Sequence, residues 1–182
     1  MSATYLDEFL QSRYSVRAFE NRAVSPELLN EIFASAQRSA SNCNTQPWHT
    51  FVASGEIKKS ISQDVIAQIM SGVKAYPAFS YFDQFKGDNR TRQIDCAMAL
   101  YGSMGIERSD KAARQQAMLR NFEFFGAPHV AFICMPTQFE IINALDMGIY
   151  LQTLMLVMHS HGIACCAQGA VGYYPDPIKQ AM

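Results

Sequence analysis

Clusters of basic residues are missing from this chain. It has 15 Lys and Arg residues against 16 acidic ones, and its formal net charge is -1. The longest unbroken basic run is Lys58 with Lys59. A nucleic-acid-binding face needs Lys and Arg gathered on one surface. The composition therefore argues against a nucleic-acid partner.

The start of the chain lacks the charged residues and apolar run that mark a secretory signal. Five cysteines, an odd number, occur without any C-x-x-C spacing: Cys43, Cys96, Cys134, Cys165 and Cys166. We predict reduced thiols in a cytoplasmic protein. The adjacent Cys165 and Cys166 are interpreted as structural thiols in a strand rather than as a redox pair, because free cysteine is most often simply buried.

Metal-ligand spacing is also missing among the four histidines, which are His49, His129, His159 and His161. A zinc site needs three or four convergent ligands, and we expect no metal. Repeats, low-complexity segments and linkers are absent, so we predict a single domain over 1–182.

Hydrophobic periodicity predicts helices around a few strands, which is the α+β class. Helices are predicted at 5–14, from Ser25 and Pro26 onward, at 57–70, 90–104, 110–125 and 141–158, and from Asp176 and Pro177 onward. Strands are predicted at 48–53 and 129–135, and a further strand and loop at 163–171; the continuously apolar second strand is expected to be buried on both faces. Residues 137–140 (Thr-Gln-Phe-Glu) have the form of a capping box, and Gly162 is expected to end the long helix.

The apolar stretch 141–158 invites comparison with a membrane span. Asn143, Asp146, Gln152 and Thr153 interrupt it, and an uncompensated Asp costs about 2.5–3.5 kcal/mol at a bilayer centre. We therefore predict a buried helix of a soluble protein. Because apolar side chains occupy nearly every face, we expect one face to meet a second subunit.

Two arginines lie four residues apart in the segment 13–17 (Arg-Tyr-Ser-Val-Arg), with a hydroxyl between them. Arg forms charge-assisted hydrogen bonds of fixed geometry to oxyanions, so the segment suits a phosphate or an anionic ring edge. A solvated helix end, where the dipole favours cations, explains the same residues, and from the residues alone it is the more frequent case.

Two further segments suit a flat polar ligand. Residues 39–48 (Ser-Ala-Ser-Asn-Cys-Asn-Thr-Gln-Pro-Trp) place hydroxyls and amides, which both donate and accept hydrogen bonds, directly before a predicted strand. In 167–175, Gly169 and Gly172 allow the backbone to approach a ligand closely. Ordinary turns explain both segments as well. Trp48 is expected to be a core anchor whose indole N–H needs a partner.

The Arg-x-Ser-x-Arg motif with Phe19 shortly after it, together with the run from Asn44 to Trp48 (Asn-Thr-Gln-Pro-Trp), resembles the FMN-dependent nitroreductase family. The stretch from 101–105 (Tyr-Gly-Ser-Met-Gly) through 122–128 (Phe-Glu-Phe-Phe-Gly-Ala-Pro) also resembles one subgroup of that family, the nitrobenzoate and dinitroaromatic reductases. The resemblance implies a central, mostly antiparallel sheet flanked by helices, in an obligate homodimer with a long buried interface helix. It also implies FMN as cofactor, NADPH or NADH as co-substrate, and ping-pong hydride transfer through flavin N5 to a nitroaromatic or a quinone. No catalytic residue is assigned, because the flavin carries the chemistry.

The resemblance also implies residue roles. Arg13 and Ser15 would contact the flavin ring edge or ribityl chain, and Arg17 the phosphate. The 41–44 stretch would reach the flavin of the other subunit, and the 167–169 loop would lie near N5 through main-chain N–H groups. Many relatives have Pro where Ala167 stands. The expected cofactor-binding set is Arg13, Tyr14, Ser15, Arg17, Ser41, Asn42, Asn44, Ala167, Gln168 and Gly169.

The segment 71–89 predicts a loop or lid. Its aromatic residues either line the substrate mouth or pack a satellite core, and the two interpretations have equal weight. These residues are Tyr76, Phe79, Tyr81 and Phe82. Family members normally continue some tens of residues past the position of Met182, with a further strand, a basic cluster for the FMN phosphate and an arm around the partner subunit. Three alternatives therefore stay open. These are a flavin-binding but catalytically silent protein, a reductive dehalogenase or dehydrogenase on the same scaffold, and a non-flavin helical interaction protein.

Overall fold

The structure, a computed structural model, describes residues 3–77 and 85–182. Helices and strands alternate irregularly along these ranges. In chain order they are α1 (Ala3–Ser12), α2 (Pro26–Ala36), β1 (His49–Ser54), α3 (Gly55–Met70), α4 (Gly87–Ser103), α5 (Lys111–Leu119), β2 (His129–Cys134), α6 (Ile141–Ser160) and α7 (Pro175–Ala181). Short 3-10 segments lie at Asn42–Asn44, Phe124–Gly126 and Ala170–Tyr173. The predicted α+β class is confirmed.

Two compact units make up the chain. The first consists of Met1–Lys59 and Gly126–Gln168 with Met182, and the second of Ser60–Phe125 and Gly169–Ala181. Each unit has its own buried apolar side chains. The expectation of one domain over 1–182 stays a prediction.

The core of the first unit forms where α2, α6 and the start of β1 meet. Its buried members are Ile32, Ala36, Trp48, Tyr150 and Leu154. The rings of Trp48 and Tyr150 stack with centroids 4.7 Å apart. The indole N–H of Trp48 donates to Oε1 of Gln37 at 2.7 Å. The prediction that Trp48 is a core anchor with a partner for its N–H is confirmed.

The sheet of the first unit is an antiparallel pair. Phe51 of β1 lies opposite Phe132 of β2, and their rings stack with centroids 6.1 Å apart. Within β2 only Phe132 is buried, and the other residues are half-buried. The prediction that this strand is buried on both faces is therefore wrong for most of its length. In the described part of the chain β2 has β1 as its single strand partner.

Two helix ends have the chemistry that their sequences predict. Ser25 caps α2, its Oγ accepting the Leu28 N–H at 3.2 Å, with Pro following at the first helical position. At the end of α6, Gly162 takes a φ of +70°. The Ile163 N–H then returns to the Met158 carbonyl at 2.9 Å. This arrangement closes the helix in a Schellman motif, which needs a left-handed residue at the Gly162 position.

Three predicted elements are corrected by the structure. Residues 163–171 form no strand. The Val16 N–H donates to the Cys165 carbonyl at 3.2 Å, and this is the one backbone hydrogen bond between 163–168 and a distant part of the described chain. The predicted helix 110–125 ends at Leu119, since Phe124 and Phe125 adopt positive φ in a buried turn. The capping box at 137–140 is also wrong. Glu140 is the N-cap of α6 without a side-chain bond, so the threonine lies three residues too early.

The second unit buries apolar side chains from several of its segments. They include Ile61, Val65, Ala117, Phe122, Phe124, Phe125, Val171 and Ile178. The rings of Phe122 and Tyr174 meet edge to face at 5.9 Å, and the Tyr76 N–H donates to the Tyr173 carbonyl at 3.1 Å. By contrast, α4 buries no residue and exposes Ile94 and Met98.

In the described ranges, α6 is the one helix that is long and apolar enough to cross a membrane by length and composition. Its inner side is packed, with Asp146, Tyr150 and Leu154 buried. Its other side exposes a strip of apolar residues: Ile141, Ile142, Leu145 and Ile149. The packed side agrees with the prediction of a core helix. The exposed strip is contiguous apolar surface of the kind that marks an interaction site.

The imidazole of His129 ties together separate segments of the first unit. Its Nε2 accepts the Val24 N–H at 2.9 Å, so Nδ1 carries the ring proton and donates to Ser54 Oγ. Burial lowers the pKa of His129, and the nearby charge of Lys58 lowers it further. The ammonium of Lys58 itself donates to the Ala127 carbonyl at 2.6 Å. The folded protein therefore favours the neutral imidazole.

We expect His129 to make the fold acid-sensitive. Its folded pKa is depressed, so its contribution is complete above the ordinary pKa of about 6.5 and is lost as the pH falls from there toward the folded value. Urea unfolding at about pH 7.5 and about pH 5.5 measures the free energy of unfolding. From the higher to the lower pH, the unsubstituted chain should lose about 1 kcal/mol more of this free energy than His129→Gln does, which is the size of one net hydrogen bond. Gln keeps an acceptor for Val24 but does not titrate. Equal losses in the two proteins would contradict this role.

Candidate functional site

The arginine segment 13–17 lies directly beside Cys165 and Cys166 in the first unit. The Val16 N–H donates to the Cys165 carbonyl at 3.2 Å, which fixes the two segments side by side. The hydroxyl of Ser15 hydrogen-bonds to the Cys166 thiol. Segments that the sequence separates by about 150 residues are thus joined, and Ala167 and Gln168 follow immediately.

The two guanidinium groups act electrostatically on these thiols. Burial raises the pKa of Cys165, and the positive charge of Arg13 opposes that rise. Burial likewise raises the pKa of Cys166, opposed by the charge of Arg17 and the hydrogen bond from Ser15. Burial has the larger effect in both cases, so both residues are held as thiols. They lie in an irregular segment rather than in the predicted strand, but their inert, half-buried state fits a structural role better than a redox one.

Arg13 is a cation without an acidic partner. No carboxylate in the described part of the chain lies within 4.0 Å of its guanidinium. Its side chain is half-buried, as are those of Ser15 and Arg17, while Tyr14 is exposed. A half-buried guanidinium beside a hydroxyl is a donor set that matches phosphate or carbonyl oxygens. The residues present therefore fit an anionic, oxygen-rich ligand such as FMN.

The loop 41–46, which we call the asparagine loop, has an unusual backbone. Cys43, Asn44 and Gln46 have φ values of 50°, 55° and 45°. A left-handed conformation costs an L-residue about 1–2 kcal/mol, and Asn tolerates it better than most. Such conformations persist only where the surroundings enforce them, and they concentrate at functional sites. The side chains of Asn42 and Asn44 are exposed, and that of Ser41 is half-buried.

Hydrogen bonds within the asparagine loop enforce part of this shape. The Gln46 N–H donates to Ser41 Oγ at 3.0 Å, and the Gln46 side-chain amide donates to Asn44 Oδ1 at 2.9 Å. The Asn44 N–H also returns to the Ser41 carbonyl at 3.1 Å. Pro47 and Trp48 follow, both buried, and anchor the outgoing chain in the core. The amide oxygen of Asn44 thus accepts a hydrogen bond from Gln46, and this contact fixes the direction of the Asn44 NH₂ group.

One further hydrogen bond ties the loop to another element. Oδ1 of Asp146 on α6 accepts the backbone N–H of Asn42 at 2.9 Å. Asp146 is 4% exposed, and its Oδ2 is buried without a partner in the described ranges. In the sequence, Asp146 stands out only as an interruption of an apolar run. A signal is nevertheless present there: a buried carboxylate needs a donor, so a lone Asp in a core helix points to a backbone N–H nearby.

The third segment offers a backbone donor. Ala167 is exposed, and no acceptor in the described residues takes its backbone N–H. Gly169 begins the second unit with ordinary right-handed angles, φ −83° and ψ −26°. The glycine is therefore not required by a left-handed turn. An available N–H at Ala167 fits the main-chain contact to flavin N5 that the resemblance implies.

The structure thus brings the arginine segment, from Arg13 to Arg17, beside Cys165 and Cys166, which directly precede Ala167 and Gln168 in the same unit. It does not link the asparagine loop to them, because none of the loop's hydrogen bonds in the described chain reaches either segment. A contribution from the loop to a second subunit's site remains a prediction.

The predicted substrate-mouth aromatics fall mostly outside the described residues, which applies to Phe79, Tyr81 and Phe82. Tyr76 is described and lies in the second unit. Its hydroxyl hydrogen-bonds to Asp176, and this bond, with smaller effects of burial and the carboxylate charge, raises the pKa of Tyr76. Of the histidines considered in the sequence, His159 packs on Phe9, and its Nε2 lies 2.8 Å from Ser12 Oγ. Both contacts are made at the end of α6.

Comparison with known proteins adds a second line of argument. Residues 10–182 match the description "Nitroreductase family". The chain is 35% identical over 174 residues to nitroreductase NfnB of Mycolicibacterium smegmatis, covering 95% of this chain and 74% of the relative. It is 34% identical over 173 residues to the 4-nitrobenzoate reductase of Pseudomonas putida, covering 95% of this chain and 76% of the relative.

Solved structures give the same picture. The FMN-dependent nitroreductase NfnB from Mycobacterium smegmatis, in complex with NADPH, superposes with a TM-score of 0.93 at 34% identity. The match covers 98% of this chain and 81% of that one. The FMN- and NADPH-dependent NfnB from Sphigopyxis sp. strain HMH gives a TM-score of 0.92 at 35% identity, over all of this chain and 81% of the other.

Proposed function

The chain belongs to the nitroreductase family, and we propose that it is an FMN-dependent oxidoreductase that works by a ping-pong reaction. Bound FMN supplies the redox chemistry, a hydride taken up at N5 from NADPH or NADH and passed on to a nitroaromatic or a quinone. Both substrates are flat, so a single slot over the ring serves each in turn. The observation that carries this proposal is the half-buried Arg13, which pairs with no carboxylate of the described ranges and lies beside the segment that leads into Ala167.

The residues of the arginine segment bind and orient the cofactor in this proposal. The guanidinium of Arg13 and the hydroxyl of Ser15 donate to oxygens of the ring edge or ribityl chain, with Tyr14 between them. Arg17 donates to the phosphate. Charge-assisted hydrogen bonds of this kind are about twice as strong as neutral ones. That no carboxylate of the described residues lies within 4.0 Å of Arg13 supports this assignment.

The segment from Ala167 to Gly169 provides the polar contact at the reacting edge of the ring. A backbone N–H directed at a position where negative charge develops stabilises that charge without reorganisation. The exposure of Ala167, and the lack of an acceptor for its N–H among the described residues, support this role. Gln168 and Gly169 follow it in the sequence and are assigned to the same segment. No side-chain acid or base is needed, and none is assigned.

The second half of the site comes from a partner subunit in this proposal. The protein is a cytoplasmic homodimer, in which the exposed strip of α6 (Ile141, Ile142, Leu145 and Ile149) packs against a second copy. Ser41, Asn42 and Asn44 of one copy then bind the flavin held by the arginine segment of the other. The asparagine side chains are exposed, and no hydrogen bond in the described chain joins them to its own arginine segment, which supports an arrangement in trans.

The first test is spectroscopic. We expect the protein reconstituted with FMN to lose the visible absorbance of the oxidised flavin when NADPH or NADH is added without oxygen. A nitroaromatic or a quinone should then restore that absorbance. Bound FMN that neither nicotinamide reduces would instead identify a catalytically silent flavoprotein. A folded chain that takes up no FMN would overturn the proposal.

The second test concerns the cation. Arg13→Ala removes a charged donor worth about 1.5–3 kcal/mol, so the Kd for FMN should rise roughly 10- to 150-fold. Isothermal titration calorimetry measures this change. Arg22→Ala is the matched control, because Arg22 is 85% exposed and pairs only loosely with Glu20 at 3.9 Å; its Kd should stay unchanged. Equal affinities of the two variants would remove Arg13 from the site.

The third test concerns the subunit contact. Leu145→Asp places a charge on the exposed strip of α6, where Leu145 is 63% exposed in the single chain. Burying that charge in an apolar interface is unfavourable, so analytical ultracentrifugation should find monomers, and FMN binding should be lost with the dimer. Met98→Asp, on the exposed face of α4, is the control and should remain dimeric. A Leu145→Asp dimer would refute this interface.

A further inference from the structure

The asparagine loop depends on a buried carboxyl group of α6. Asp146 is 4% exposed and accepts the Asn42 N–H at 2.9 Å. This is the one hydrogen bond that joins the loop to any other element in the described ranges. It is made to the residue just before the left-handed stretch that begins at Cys43.

Without this bond the loop would keep only its internal contacts. Those contacts, from Gln46 to Ser41 and to Asn44, define a local shape but do not fix the loop against the core. Pro47 and Trp48 fix its far end. Asp146 fixes its near end, and both ends must be held for the side chains between them to point in one direction.

The second carboxyl oxygen strengthens the argument. Oδ2 of Asp146 is buried and has no partner in the described residues. A polar atom buried without a partner is destabilising in itself and is uncommon in folded proteins. A residue of the same size with an apolar side chain would avoid this penalty in a helix that is otherwise largely apolar. The unpaired Oδ2 is therefore a cost that the hydrogen bond from the Asn42 N–H to Oδ1 has to offset.

We propose that Asp146 is a positioning residue that keeps the asparagine loop in the conformation in which Asn42 and Asn44 bind FMN. This rests on the proposed function of the loop. Asp146 touches neither substrate nor cofactor. It acts by populating one conformation, so that the apparent Kd for FMN equals the intrinsic Kd divided by the fraction of molecules in that conformation.

The experiment compares three variants with the unsubstituted full-length chain. Asp146→Ala removes the acceptor, and Asp146→Asn keeps one at the same place. Tyr150→Phe is the matched structural control, since Tyr150 is buried one turn along α6 and its hydroxyl lies 3.2 Å from Thr50 Oγ1. Calorimetry gives the Kd for FMN, thermal unfolding without FMN gives stability, and amide hydrogen exchange without FMN reports on residues 42–46.

We expect Asp146→Ala to speed amide hydrogen exchange at residues 42–46. The Kd for FMN should rise about tenfold or more, which is the change expected if a tenth or less of the molecules keep the binding conformation. Asp146→Asn should restore both. Tyr150→Phe should lower stability and leave both unchanged. If Asp146→Ala does not fold, Asp146→Ser, which keeps a polar group but cannot span the gap, takes its place with the same expectation.

Two failures can be told apart. If the unsubstituted chain binds no FMN, the proposed function itself is overturned. If the chain binds FMN and Asp146→Ala binds it equally well, only the role of Asp146 is overturned. A Tyr150→Phe variant that loses FMN affinity as much as Asp146→Ala also overturns that role, because the loss would then follow general destabilisation.

Discussion

The stacking of Trp48 on Tyr150 is the contact around which the first unit is arranged. It joins the strand entry, α6 and, through Gln37, the end of α2. Two large aromatic rings buried face to face contribute both apolar area and a preferred geometry. The asparagine loop ends two residues before Trp48, and Asp146 lies one turn before Tyr150. The aromatic pair therefore anchors the outgoing end of the candidate cofactor-binding loop, and Asp146 holds its other end.

Much of the fold can be predicted from local chemistry in the sequence. Ser25 before Pro26 marks the start of α2, Gly162 marks the end of α6, and the lone Trp48 marks the core, because each depends on interactions within a few residues or on size alone. The arginine segment and the segment at Ala167 were also found from sequence, as parts of motifs that resemble the family. Their proximity to each other depends on long-range folding, which no local pattern reveals.

The errors have a common physical origin. Residues 163–168 have strand-like composition, but a strand exists only with a hydrogen-bonded neighbour, and its described contacts provide a single backbone bond. The turn at Phe124 and Phe125 takes left-handed angles that aromatic residues rarely adopt, so tertiary packing overrides local preference there. Asp146 was missed because its partner is a backbone N–H from a loop about a hundred residues earlier.

In the proposed dimer, the geometry of α6 would also link two equilibria. Leu145 points outward into the exposed strip while its neighbour Asp146 points inward to Asn42, so one rigid turn of helix would serve both self-association and the candidate ligand loop. Thermodynamic reciprocity then applies. The factor by which dimerisation raises the affinity for flavin must equal the factor by which flavin raises the affinity of the chains for each other. Dilution alone would strip the cofactor from such a protein, and an excess of cofactor would hold it together.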